Sequence, residues 1–226
     1  MDHVFHRYPS ATLPVIDRGE GVFVFDTDGK KYLDACGGAA VSCLGHSDAR
    51  VKQAIVDQLD RIPFAHTAFY TSEAAEDLAD RLTAAAPGNL DRVYFVSGGS
   101  EATEAALKLA RQYFVEKGEP GRRNVITRRQ SYHGNTLSAL AAGGNQWRRA
   151  QFEPLLFETH HIAPCYEYRD RGDDETSVEY GFRVADELET KIQELGAETV
   201  MALIAEPVVG ATAGAVPPTD GYFKRV

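Results

Sequence analysis

One stretch constrains this chain more than any other. Residues 93–111 read VYFVSGGSEATEAALKLAR. Four apolar residues have the length and type of a buried strand. Ser97-Gly98-Gly99-Ser100-Glu101 follows, and then Ala102, Ala105, Ala106, Leu109, Ala110 and Tyr113 recur with a helical period of about 3.6 residues. Strand, glycine pair and helix form the unit from which α/β sheets are built. The arrangement puts unpaired N–H groups and the positive end of the helix dipole just beyond the strand. Glycines let an anion approach that backbone closely, and Ser100 adds a hydroxyl, so the parts of a phosphate cup are present. The segment matches neither GxxxxGK[ST] nor GxGxxG. Spacing alone leaves a plain strand-to-helix turn equally open.

The same alternation runs through the rest of the chain. Asn124–Thr127 and Thr199–Ile204 read as strands, and Val178, Phe182, Ala185, Leu188, Ile192 and Leu195 as a helical stripe closed by Gly196. Upstream, residues 22–25 and 31–33 predict a hairpin around Asp26-Thr27-Asp28-Gly29. Cys36–Ala40 reads as a loop of small residues. Asp48 is placed to cap a helix with Val51, Ile55 and Leu59 inward, and a second helix runs from Ser72 to Pro87 with Leu78 and Leu82 inward. The final residues, 221–226, resemble the opening of a helix, which suggests a fragment of a longer design. The predicted class is α/β with a mostly parallel sheet flanked by helices.

Two more predicted strand ends carry chemistry. Ser131-Tyr132-His133-Gly134-Asn135-Thr136 offers an aromatic face and a group that titrates near neutrality. A Tyr-His pair packed in a surface turn is the plainer reading. Glu206-Pro207-Val208-Val209-Gly210 places a carboxylate where it needs solvent or a partner, and an ordinary salt bridge would suffice. Ligands of open α/β sheets lie beyond the carboxyl ends of strands, so the three loops can share one pocket.

Composition removes whole classes of function. The 226 residues carry 24 Lys and Arg against 33 Asp and Glu, a net charge of −9, with no basic run. Such a chain is a poor binder of nucleic acid or anionic membrane. No stretch approaches the roughly 18 apolar residues of a membrane helix, and the first residues lack an apolar leader. Cys36, Cys43 and Cys165 are odd in number, which fits a reduced, cytoplasmic protein. His160, His161 and Cys165 match no zinc spacing, and residues 170–175 lack a calcium-loop pattern, so no metal is expected.

Taken together, these segments resemble the N-terminal half of a class III aminotransferase, a fold-type-I enzyme dependent on pyridoxal 5′-phosphate. The resemblance rests on Asp28-Gly29-Lys30-Lys31-Tyr32-Leu33-Asp34, Leu44-Gly45-His46, residues 93–111, Tyr132-His133-Gly134 and Glu206-Pro207-Val208, in that order. It implies that residues 1–60 form the N-terminal part of a small domain and that residues 61–226 form an incomplete large domain. It implies that Gly99 and Ser100 bind the cofactor phosphate, with Gly98 shaping the turn. Tyr132 would stack on the pyridine ring, Glu206 would sit behind it, and Tyr132 and Tyr70 would border the substrate. The reaction implied is transfer of an amino group from an amine or amino acid to a 2-oxo acid, in a homodimer.

Two parts of the family's machinery match no position here: the Asp that pairs with the pyridinium nitrogen and the lysine that forms the Schiff base. None of Lys30, Lys31, Lys52, Lys108, Lys117, Lys191 and Lys224 stands in the expected place. The chain by itself is therefore expected to lack appreciable transaminase activity. A non-catalytic remnant or interaction protein that keeps part of the phosphate site is the other reading. Relatives that use ornithine or 4-aminobutyrate often carry an acidic residue where this chain has Ala211, which tilts expectation toward an amine–pyruvate activity.

Overall fold

The structure is a computed structural model that describes residues 3–226. Its contacts divide the chain into two compact units, Met1–Val93 and Tyr94–Val226.

The first unit holds a three-stranded antiparallel sheet, β1 (Ile16–Glu20), β2 (Phe23–Asp26) and β3 (Lys31–Leu33), in that order. The hairpin between β2 and β3 forms as predicted, and Gly29 takes the positive φ of 82° that the turn needs. Asp26 locks it. One carboxylate oxygen accepts from the backbone N–H groups of Asp28 (3.0 Å) and Lys30 (2.8 Å), and the other accepts from the Tyr32 hydroxyl (2.7 Å). The Tyr32 bond holds the Asp26 carboxyl below the usual carboxylate range. β1 was not foreseen, because Ile16-Asp17-Arg18-Gly19-Glu20 shows no apolar alternation and its pairing is broken by an irregularity between Ile16 and Arg18.

Helix α1 (Ala49–Arg61) is capped by Asp48, which accepts from the N–H groups of Arg50 and Val51. Helix α2 (Glu73–Ala85) is capped by Ser72. Both starts match expectation, but the faces expected to turn inward do not find cover. Val51, Ile55, Leu59, Leu78 and Leu82 stay 43–55% exposed. The small-residue loop closes into a left-handed turn, with φ between 54° and 67° at Gly37, Gly38, Ala39 and Ala40. That conformation costs the two alanines about 1–2 kcal/mol each. The sequence motifs at 28–34 and 44–46 meet here, through a 2.8 Å bond between His46 Nε2 and the Asp34 carboxylate.

The second unit begins with helix α3 (Gly99–Glu116) and is built on a parallel sheet. Strand β4 (Asn124–Arg128) is central, and helix α4 (Leu137–Ala142) follows it. Strand β5 (His160–Ile162), helix α5 (Ser177–Leu195), strand β6 (Val200–Ile204) and helix α6 (Tyr222–Arg225) follow, with single helical turns at Gln146–Arg149 before β5 and Glu167–Asp170 after it. The strand order is β5-β4-β6. Alternation along β4 sends Ile126 into a core with Ile162 and Leu188, while Thr127 faces the other way, toward His133. A second core cluster joins Cys165, Tyr180, Val184 and Tyr222. A capping box between Thr176 and Glu179 starts α5.

Two strand expectations need correction. Residues 93–96 form no strand among the described residues, and Tyr94 and Phe95 are 79% and 45% exposed. An extended segment becomes a strand only beside a neighbour that takes its N–H and C=O groups, and the edges of β4 are taken by β5 and β6. Conversely, β5 forms from His-His-Ile, three residues too few and too polar to read as a strand.

Candidate functional site

The glycine pair opens directly into α3, with Gly98 at the N-cap. Gly98 is extended (φ −171°), a conformation open to any residue, so the turn itself does not require it. A Cβ added to Gly98 or Gly99 would meet nothing within 4 Å. Neither torsion nor packing explains this pair. What it does is leave a bare cradle in front of the first N–H groups of the helix, the geometry in which helix starts receive anions. Glu101 is turned the other way and accepts from the Ser97 N–H (2.7 Å).

The second loop is stitched to this helix start. Ser100 Oγ donates to Asn135 Oδ1 (3.0 Å) and accepts from the Asn135 N–H (3.0 Å). Thr103 Oγ1 donates to the His133 carbonyl (2.7 Å). Glu104 accepts from the N–H groups of Ser138 (3.1 Å) and Ala139 (3.3 Å), closing the start of α4. Gly134 makes the approach possible. Its φ is +135°, and a Cβ there would lie 2.6 Å from Ser100 Oγ and 2.8 Å from Ser100 Cα.

The third loop joins through Glu206, which is half-buried. One carboxylate oxygen accepts from the Tyr132 N–H (3.2 Å) and the other from the Gly210 N–H (3.2 Å). Tyr132 remains 36% exposed, with the Arg148 guanidinium 4.9 Å from its ring centroid. His133 Nε2 lies 3.3 Å from Thr127 Oγ1. Burial holds the imidazole below its usual pKa; Glu206 pulls it up, while Arg128 and His161 push it down.

Gly98, Gly99, Ser100, Tyr132 and Glu206 thus belong to one bonded set of loops in the second unit. Tyr70 lies in the first unit, 68% exposed, in a row of rings with Phe64, His66 and Phe69. Sequence reasoning did not pick out Thr103, Glu104, Asn135 or Arg148. The only signal for the first two was a pair of polar residues interrupting the small-residue start of α3. A cavity of about 720 Å³ is lined by Gln130 and Thr212, neighbours of these loops, but not by Gly99, Ser100 or Tyr132.

Fold and site define an α/β protein in which the loops at 97–101, 131–136 and 206–210 are bonded to one another. The chain belongs to the class III aminotransferases: the family model "Aminotransferase class-III" matches residues 5–226. An uncharacterized aminotransferase of Schizosaccharomyces pombe is 42% identical over all of this chain and 49% of its own length. The uncharacterized aminotransferase YodT of Bacillus subtilis is 38% identical over 96% of this chain and 48% of its own. A crystal structure of the omega transaminase from Pseudomonas jessenii in complex with PMP superposes with a TM-score of 0.90 at 30% identity. That match covers 98% of this chain and 51% of the solved one. The fold is that of the class III transaminases, fold type I, and the chain spans about half the length of the curated relatives it matches.

Proposed function

We propose that this chain forms the phosphate cup and ring platform of a pyridoxal 5′-phosphate-dependent aminotransferase. The residues present fit that cofactor. The cradle at Gly98 and Gly99 has room that any side chain would fill, and the α3 start supplies N–H donors beside Ser100 Oγ. Tyr132 offers an exposed ring face, and Glu206 holds the Tyr132 backbone. When bound, pyridoxal phosphate supplies the electron sink for moving an amino group from an amine or amino acid to a 2-oxo acid.

The chain's own residues bind and orient. Gly99 and Ser100 hold the dianion against the helix dipole. Tyr132 fixes the plane of the ring. Glu206 ties two loops together so that ring face and phosphate cup keep one spacing. His133, kept neutral by burial, adds no positive charge beside them near pH 7. None of Lys30, Lys31, Lys52, Lys108, Lys117, Lys191 and Lys224 stands where the resemblance puts the Schiff-base lysine, so the chain alone is expected to bind the cofactor without turning over substrate. The assembly proposed is a homodimer, and the three free cysteines fit a reducing compartment such as the cytoplasm. Substrate choice stays at the level of amino donor and 2-oxo acid. Rice relatives named probable gamma-aminobutyrate transaminases are 38% identical over 94% of this chain, which weighs against using Ala211 to set 4-aminobutyrate aside.

The observation that carries the reading is the pair of links Ser100–Asn135 and Tyr132–Glu206, which bring all three loops together. Gly99→Asp tests it. The added side chain meets open space, so the fold survives, but it sets a carboxylate where the phosphate belongs. Titration of pyridoxal phosphate against the fluorescence of Trp147, the only tryptophan, should show affinity falling at least about tenfold, as expected for like charges held at close range. Equal affinity in both proteins would end the proposal.

A further inference from the structure

Arg128 is the largest side chain fully buried in the structure, at 1% exposure. A guanidinium is always charged, and burying it is costly unless its donors are met. Here they are met only in part. Among the described residues no carboxylate pairs with Arg128, and its Nε has no partner. Its Nη2 donates to the main-chain carbonyl of Glu206. The aromatic rings of Tyr222 and Phe223, at the start of α6, lie 5.7 and 5.8 Å from its Cζ.

The backbone end of the same residue holds the other loop. The Arg128 carbonyl accepts from Ser131 Oγ (2.6 Å), and the Gly144 N–H donates to both the Ser131 carbonyl (3.1 Å) and Ser131 Oγ (3.0 Å). The next residue is Tyr132, whose N–H returns to the Glu206 carboxylate. The bonds close a ring: Arg128 to Ser131, Tyr132 to Glu206, and Glu206 back to Arg128.

We propose that Arg128 is a positioning residue that clamps Tyr132 and Glu206 into one arrangement from behind the sheet, acting on the ring-binding side of the site without touching it. A buried apolar residue of similar length would fill the space at less desolvation cost. It would leave the Glu206 carbonyl without its donor and free the two loops to move apart. The ligand consequence rests on the cofactor reading given above. The clamp itself does not, and is measurable in the chain without any ligand.

The test uses the 226-residue chain and two variants, Arg128→Met and Arg128→Lys. Amide hydrogen exchange reads the Tyr132 and Asn135 N–H groups separately, and NMR follows the titration of the His133 imidazole, which feels the charges of Glu206, Arg128 and His161. Loss of a hydrogen bond from a charged donor is expected to speed exchange at Tyr132 about tenfold or more. Exchange at Asn135, held by Ser100, should stay within about twofold of the parent. In Arg128→Met the His133 titration should move upward. In Arg128→Lys, which keeps the charge but not the planar fork, it should stay near that of the parent while Tyr132 exchange still rises.

Equal acceleration at Tyr132 and Asn135, or none at either, would overturn the clamp. If Arg128→Met does not fold, Arg128→Lys decides on the exchange readout. Pyridoxal phosphate binding is then compared. Binding by the parent that is unchanged in a variant with a loosened Tyr132 would refute the clamp's bearing on the ligand. No binding by the parent would refute the cofactor reading and leave the exchange result standing.

Discussion

Helices α3 and α5 in the second unit carry apolar stripes of similar regularity, and their fates differ. Helix α5 buries Tyr180, Gly181, Val184, Ala185 and Leu188. Helix α3 buries no residue, and its Leu109 and Tyr113 are 66% and 54% exposed. Its small-residue face, with Tyr94 and Val96, instead borders an open groove of about 560 Å³. What holds the start of α3 is directional: Ser100, Thr103 and Glu104 bond to the turn at 133–139. Burial is non-directional and tolerates small shifts, whereas hydrogen bonds fix positions to fractions of an ångström. The end of the unit that forms the cradle is therefore set by polar geometry, and the opposite side by hydrophobic packing.

Substitutions at the two ends can break this contrast. The largest effect is expected at Tyr180→Ala in α5. Tyr180 is fully buried, and its hydroxyl accepts from the Tyr166 N–H and donates to the Pro164 carbonyl. Removing the ring should cost about 3–5 kcal/mol in urea unfolding, as for other buried aromatic truncations. Gly134→Ala comes next. The positive φ and the clash with Ser100 should cost about 1–3 kcal/mol. Its signature is faster amide exchange at Asn135 and weaker pyridoxal phosphate binding, with the α5 core left protected. Leu109→Ala should be the smallest, within about 0.5 kcal/mol, because the side chain is already in solvent. A loss of several kcal/mol there would show that α3 is held by packing after all, and the contrast would fail.

Much of the fold was legible because its signals are local. The hairpin at Asp26–Gly29, the caps at Asp48 and Ser72, and the stop of α5 at Gly196 each follow from a few residues acting on their own backbone. The three site loops were legible for the same reason: glycine, aromatic and carboxylate residues follow short apolar runs, although the run at 93–96 forms no strand. Arg128 was not legible as part of the site. Its position in β4 places its side chain on the face away from the Thr127–His133 contact, and no spacing rule announces that its guanidinium meets the Glu206 carbonyl 78 residues on.

The amino-acid sequence by itself determined where helices start, where the chain turns, and which residue types stand at the three loops, because capping, torsion and periodicity act over a few residues. Only the tertiary structure decided that His160–Ile162 pairs as a strand while Val93–Val96 does not, since a strand exists only beside a partner. It also decided that the cradle, the Tyr132 ring and the Glu206 carboxylate are joined by Ser100, Asn135 and Arg128. Those bonds form between residues tens of positions apart, and their energy depends on distances that no stretch of chain sets alone.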